Sequence, residues 1–186
     1  SEYALVGAGL FAFDFMHFAQ TRLTTIDVFI TFFVIVMYYF MERYVNTSFY
    51  DKPLKETWIP LGACGIAFGF GIASKWTGAY AGAGLALIFF ASLWNRYREY
   101  KYALATPKGS TGNIAHNHII KVFKENTIRT IGFCMIFFVV IPFFIYLLSY
   151  IPFVDSNNPG LFARMLNNQK TMFNYHSNLD ATHPYS

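Results

Sequence analysis

Five apolar runs, separated by short segments that hold nearly all the charge, constrain this chain more than any other feature. They cover roughly residues 3–18, 26–41, 58–73, 76–94 and 130–153. A helix needs about 20 apolar residues, within a range of ~17–25, to cross the hydrocarbon core of a bilayer. The last two runs meet that length, and the others reach it if their polar-edged ends extend to the headgroups. Backbone groups in lipid must bond within their own segment, so such runs fold as helices rather than open strands. Only 13% of the 186 residues are charged and 20% are aromatic, whereas soluble domains carry about 25% charged residues. One soluble core of this size could not bury that apolar surface, and disorder needs low hydrophobicity. The predicted fold class is an all-α polytopic membrane protein with about five transmembrane helices.

The first run is no signal peptide, because it lacks a basic start and carries Asp14 and His17 near its end. The start without Met and the polar stop at Ser186 read as the ends of a fragment from a longer transmembrane domain. Lys and Arg distribution sets orientation. Ten of the fourteen fall in two loops, after the second run and in a long segment over 95–129, which is expected to be cytoplasmic. Arg22, Lys75, Arg164 and Lys170 fall on the other side, which places the turn over 20–27, the Lys75 turn and the tail over 154–186 on the external face. Asn46-Thr47-Ser48 is a glycosylation triplet, but this orientation puts it in the cytoplasm.

Within the long loop, 107–113 has linker chemistry and lacks a phosphate-binding loop. Residues 119–124 read either as a basic helix on anionic lipid or as a solvated connector. In the tail, Asn158 is placed to cap a helix with Pro159 at its first position. Leu161, Phe162, Met165, Leu166, Met172 and Phe173 would give that helix an apolar face. Gly62, Gly65 and Gly69, with Gly78 and Gly82, predict close helix approach. Cys64 and Cys134 fit no metal or disulfide pattern.

Ionisable groups at membrane depth are costly and usually face a cavity or the bundle interior. Asp14 and His17 are three apart and would share a helix face, with Gln20, Arg22 and Asp27 following at the external end. Lys75 sits between two runs with almost no loop around it. An unpaired ammonium held there is expensive, so it requires an anionic partner. Snorkelling of Arg22 and Lys75 to headgroups is the plain alternative. Asp27 is expected to orient Arg22 or cap the second helix. His176 and His183 flank Asp180 in the tail, but at no recognised metal spacing.

Three separated segments resemble one family. Phe13-Asp14-Phe15-Met16-His17-Phe18-Ala19-Gln20-Thr21-Arg22 with Ile26-Asp27, then Ser74-Lys75-Trp76-Thr77-Gly78, then His183-Pro184-Tyr185-Ser186 are similar, in order, to motifs of the protein O-mannosyltransferases (dolichyl-phosphate-mannose–protein mannosyltransferases). The resemblance implies a GT-C type glycosyltransferase fold, of which these helices would be about the third to the seventh. It implies an integral multi-pass protein of the plasma membrane in bacteria or the endoplasmic reticulum in eukaryotes. It also implies inverting transfer of mannose from a polyprenyl-phosphate carrier to Ser or Thr hydroxyls of proteins on the external face. The family's catalytic carboxylates, an Asp-Glu pair in its first external loop, would precede Ser1, so no catalytic residue is expected here and the fragment alone should be inactive. Arg22 and Lys75 would bind the donor phosphate, with Gln20, Asp14, His17, Asp27, His176 and His183 as substrate-binding candidates. The implied partners are the lipid-linked donor, a protein acceptor and membrane lipids, with no nucleic acid. No cofactor beyond the lipid-phosphate-mannose donor is implied, and the residues do not fix a need for a divalent metal. Two other readings stay open: a related transferase with a lipid or glycan acceptor, and a transporter using Asp14 and His17 as a proton relay. The transporter would show internal repeats, and neither motif turn is repeated.

Overall fold

The computed structural model describes residues 2–15, 19, 26–105, 113–153 and 160–178. Among them it is all α: α1 (Glu2–Ala12), α2 (Asp27–Val45), α3 (Leu54–Ser74), α4 (Gly78–Ala105), α5 (Asn113–Met135), a wide π turn (Ile136–Val140), α6 (Ile141–Leu148), a short 3-10 turn (Ile151–Phe153) and α7 (Leu161–Ser177). Four stretches are long and apolar enough to cross a bilayer: Asp27–Val45, Leu54–Ser74, Gly78–Ala105 and His116–Leu148. The chain is therefore an integral multi-pass membrane protein. Large side chains such as Phe29, Phe32, Ile59, Leu87 and Phe90 point outward and exposed, as lipid-facing residues do.

The first run departs from expectation. Its described helix is 11 residues long, about 16 Å at 1.5 Å per residue, or half the apolar thickness of a bilayer. The chain turns at Phe13, and Asp14 N–H bonds to Phe11 O at 3.3 Å. Asp14 therefore lies past the end of α1, and His17 is outside the described residues.

The core joins α2, α3 and α4 through Met37, Met41, Tyr44, Leu61, Cys64, Ala67, Leu85 and Phe89. The glycine seam on α3 turns to α5 and α6. Phe133 and Phe137 lie over Gly62, the Phe137 backbone lies over Gly65, and Pro142 and Ile145 lie over Gly69. Trp58, Phe133 and Phe137 stack in series, with centroids 5.0 and 4.2 Å apart. The π turn immediately precedes Pro142 in α6. Proline has no N–H for the carbonyl four residues back and crowds it, and widening the preceding turn relieves both conflicts.

The charged segment over 95–129 is helical for most of its length. α4 runs to Ala105 and α5 begins at Asn113, and Tyr100 stacks on Phe123 at 4.6 Å. The stretch 119–124 is thus part of a hairpin arm packed on α4, neither a separate surface helix nor a loose connector; residues 107–112 lie outside the described residues. In the tail, α7 begins at Leu161, two residues after the start that the capping pattern suggests. Gly160 precedes it at φ +43, a left-handed value that favours glycine, while Asn158 and Pro159 lie outside the description.

At the end of the bundle opposite Lys75, Arg96 is buried. Its guanidinium bonds the Tyr44 hydroxyl and lies 4.6 Å from the Tyr44 ring centre and 4.3 Å from that of Phe49. Tyr50 donates its hydroxyl to Arg96 O at 2.8 Å. Burial, reinforced by nearby Glu99, pushes the Tyr50 phenol above its usual range. The loop joining α2 to α3 is thereby fastened to α4 by an arginine between two rings. Tyr44→Phe would leave a buried guanidinium N–H unpaired, at a cost of about 1–3 kcal/mol. Thermal unfolding in detergent should show the loss, and an unchanged transition would mean the hydroxyl contributes nothing.

Candidate functional site

The site lies where α2 begins, α3 ends and α4 begins. α3 stops because Lys75 turns extended (φ −155, ψ 127) while its N–H still bonds Gly71 O. The chain re-enters a helix within three residues. Gly78 N–H bonds Lys75 O at 2.9 Å, Ala79 N–H bonds Trp76 O at 3.0 Å, and Tyr80 N–H bonds Thr77 O at 3.1 Å. A Cβ on Gly78 would stand 3.0 Å from the Gly71 backbone, so glycine is what lets the two helices meet there. This turn aims Lys75 across the bundle end.

The partner that Lys75 requires is Asp27, whose Oδ1 lies 2.6 Å from Nζ across 48 residues of sequence. Of the roles expected for Asp27, capping α2 is not seen, and orienting Arg22 falls on a residue outside the described ones. Helix α2 has Ile26 at its cap position without a side-chain capping bond. Asp27 occupies the first turn, where a carboxylate also complements the helix dipole, and its side chain takes the ammonium. The two side chains are 42% and 43% exposed. Pairs this open are worth at most about 1 kcal/mol, so this one fixes geometry more than it stabilises. An ammonium has three donors; one is directed at Asp27, and Lys75 has no second side-chain partner among the described residues.

Beside the pair is a cleft of about 350 Å³ lined by Lys75, Trp76, Tyr146, Ser149, Tyr150 and Met172, among others. A second cleft of about 420 Å³ shares Trp76 and Met172 and reaches Gln169 on α7. Helix α7 is fastened here by polar contacts. The Gln169 amide bonds the Tyr146 hydroxyl and reaches that of Tyr150 at 3.4 Å, and the two phenols are 3.0 Å apart. Met165 is buried, while Phe162, Leu166 and Phe173 are exposed, giving α7 an apolar outer face beside the site.

Of the sequence candidates, the structure therefore brings together Lys75 and Asp27. Asp14 is exposed beyond α1. His176 falls in the last turn of α7, with its side chain outside the description. Gln20, Arg22 and His183 also lie outside the described residues. Among those described, no three His, Cys, Asp or Glu side chains cluster as metal ligands would. Sequence reasoning missed the Tyr146–Tyr150–Gln169 clasp. Its signal was two tyrosines four apart at the polar edge of the last run.

Four helices long and apolar enough to cross a bilayer, with a paired lysine beside a cleft at one end of the bundle, define a polytopic membrane protein. The sequence profile of the family described as dolichyl-phosphate-mannose-protein mannosyltransferase matches residues 1–155, and the chain belongs to that family. It is thus a protein of the membrane mannosyltransferase class. No curated protein and no solved structure matches the chain.

Proposed function

We propose that this chain contributes the donor-phosphate side of an inverting enzyme that moves mannose from a polyprenyl-phosphate carrier to Ser or Thr hydroxyls of proteins on the external face. The observation that carries the reading is the Lys75–Asp27 pair at 2.6 Å beside a cleft at the bundle rim. In the reaction an acceptor oxygen bonds to the sugar C1 as the C1–O bond to phosphate breaks. The acceptor proton passes to a carboxylate, and the lipid phosphate departs with the bonding pair. Charge grows on that phosphate, and fixed cations in a site poor in water stabilise it strongly.

Lys75 supplies a point charge whose direction Asp27 sets, and Arg22 a planar fork for two phosphate oxygens. A lipid-linked phosphate must stop at the membrane boundary, which is where the Lys75 turn lies. Asp27 is committed to Lys75 and is not assigned as the base, and Asp14 is not promoted to that role either. Gln20, His17, His176 and His183 remain substrate-binding candidates.

The test is transfer by membranes holding the intact protein, with lipid-phosphate-mannose as donor and a Ser/Thr peptide as acceptor. A mannosyl peptide of inverted anomeric configuration, lost in Arg22→Ala, is the expected product. Mannose delivered instead to a lipid or glycan, or a product of retained configuration, would overturn the assignment.

A further inference from the structure

We propose a second ligand site, at the opposite end of the bundle from Lys75, for the headgroup of an amine-bearing zwitterionic phospholipid such as phosphatidylethanolamine. The outer parts of α4 and α5 border an open cleft of about 540 Å³ lined by Asn95, Arg98, Glu99, Tyr102, His116 and Ile119. Three ion pairs form among the described residues, Lys52 with Glu56 at 3.1 Å, Lys75 with Asp27 at 2.6 Å and Arg129 with Glu125 at 2.7 Å. Arg98 and Glu99 are adjacent in sequence and line the same cleft. Neither forms an ion pair or side-chain hydrogen bond among the described residues. Opposite them, His116 has its Nδ1 shut away from solvent with no partner among the described residues, and its ring stands edge-on to Tyr102 with centroids 5.8 Å apart.

Depth identifies the ligand as a lipid. The apolar stretch of α4 ends at Trp94, whose ring is exposed, and Tyr97 and Tyr102 are exposed further along, the placement of aromatic side chains at a membrane interface. At 1.5 Å per residue, Arg98 and Glu99 stand about 6–8 Å beyond Trp94, a height that falls in the headgroup layer, about 5–8 Å thick on each side. Charge identifies the headgroup. A guanidinium suits a phosphate, and a carboxylate beside it suits a primary ammonium. A purely anionic headgroup would face Glu99 without compensation. A choline headgroup offers the phosphate but no N–H for the carboxylate.

The experiment is native mass spectrometry of the purified protein from nanodiscs of equimolar palmitoyl-oleoyl phosphatidylethanolamine, phosphatidylcholine and phosphatidylglycerol. Phosphatidylethanolamine should be retained several-fold over the other two. Arg98→Gln should lower that retention by about tenfold, the size of one charge-assisted hydrogen bond, and Glu99→Gln should bring phosphatidylethanolamine to parity with phosphatidylcholine. Phosphatidylglycerol retained at least as well as phosphatidylethanolamine would overturn the proposal, because a merely basic surface behaves so. Equal retention of all three lipids, or a preference that survives both substitutions, would also overturn it. The wild-type comparison needs no variant, so a substitution that fails to fold leaves it decisive.

Discussion

Lys75→Ala in the intact protein is expected to slow mannosyl transfer by about 10²–10³-fold, the loss typical of removing one donor aimed at developing charge. The effect should fall on kcat as well as on KM for the lipid donor, because the ammonium meets more charge in the transition state than in the ground state. Stability should hardly change, since an ion pair more than two-fifths exposed on both sides contributes little. Asp27→Asn should lie between wild type and Lys75→Ala, because it keeps the ammonium and loses only its orientation. Steady-state assays in membranes with matched expression give the comparison. Near-normal transfer by Lys75→Ala would remove this residue from the donor site and leave the pair a structural tie between α2 and α3.

The largest effect on folding is expected at Gly65. A methyl group there would meet the backbone of the π turn: Phe137 C stands 2.9 Å from the added Cβ, Phe137 Cβ stands 3.0 Å away, and the Phe137 carbonyl oxygen is closer still. A flexible side-chain tip could swing away, but a carbonyl in a helix cannot, so α3 must back off along its whole seam. Overpacking of this kind costs about 1–3 kcal/mol for alanine, and Gly65→Val should be worse. Gly132→Ala is the control. Its Cβ meets nothing within 4 Å, and replacing a mid-helix glycine gains up to about 1 kcal/mol. Circular-dichroism melts in detergent should therefore move in opposite directions for the two alanine variants. Identical melts for Gly65→Ala and wild type would mean that α3 and the π turn do not meet as described.

Apolar run length was enough to find the four long helices, because a bilayer demands that length of any chain crossing it. It failed at their ends. Hydropathy drops after Trp94, yet α4 continues to Ala105, since Tyr100 finds Phe123 across the hairpin and the intervening residues are sound helix formers. Arg96 counted in the sequence as one more loop cation, whereas it lies buried between Tyr44 and Phe49; a contact across 52 residues leaves no local trace. The site was legible in part. A lysine confined between two apolar runs was expected to find an anion, and it does, although at 42% exposure it is only partly desolvated. Which anion it found depended on how α2 and α3 pack, so Asp27 emerged only in three dimensions.

The close approach of Gly78 to Gly71 has one more consequence. Main chain, not a rotamer, sets the height of the Lys75 turn. A bilayer of different thickness would shift its phosphate plane past a stationary charge instead of carrying that charge along. With Lys75 on the donor phosphate as proposed, acyl-chain length in the host membrane would tune how well carrier and enzyme engage.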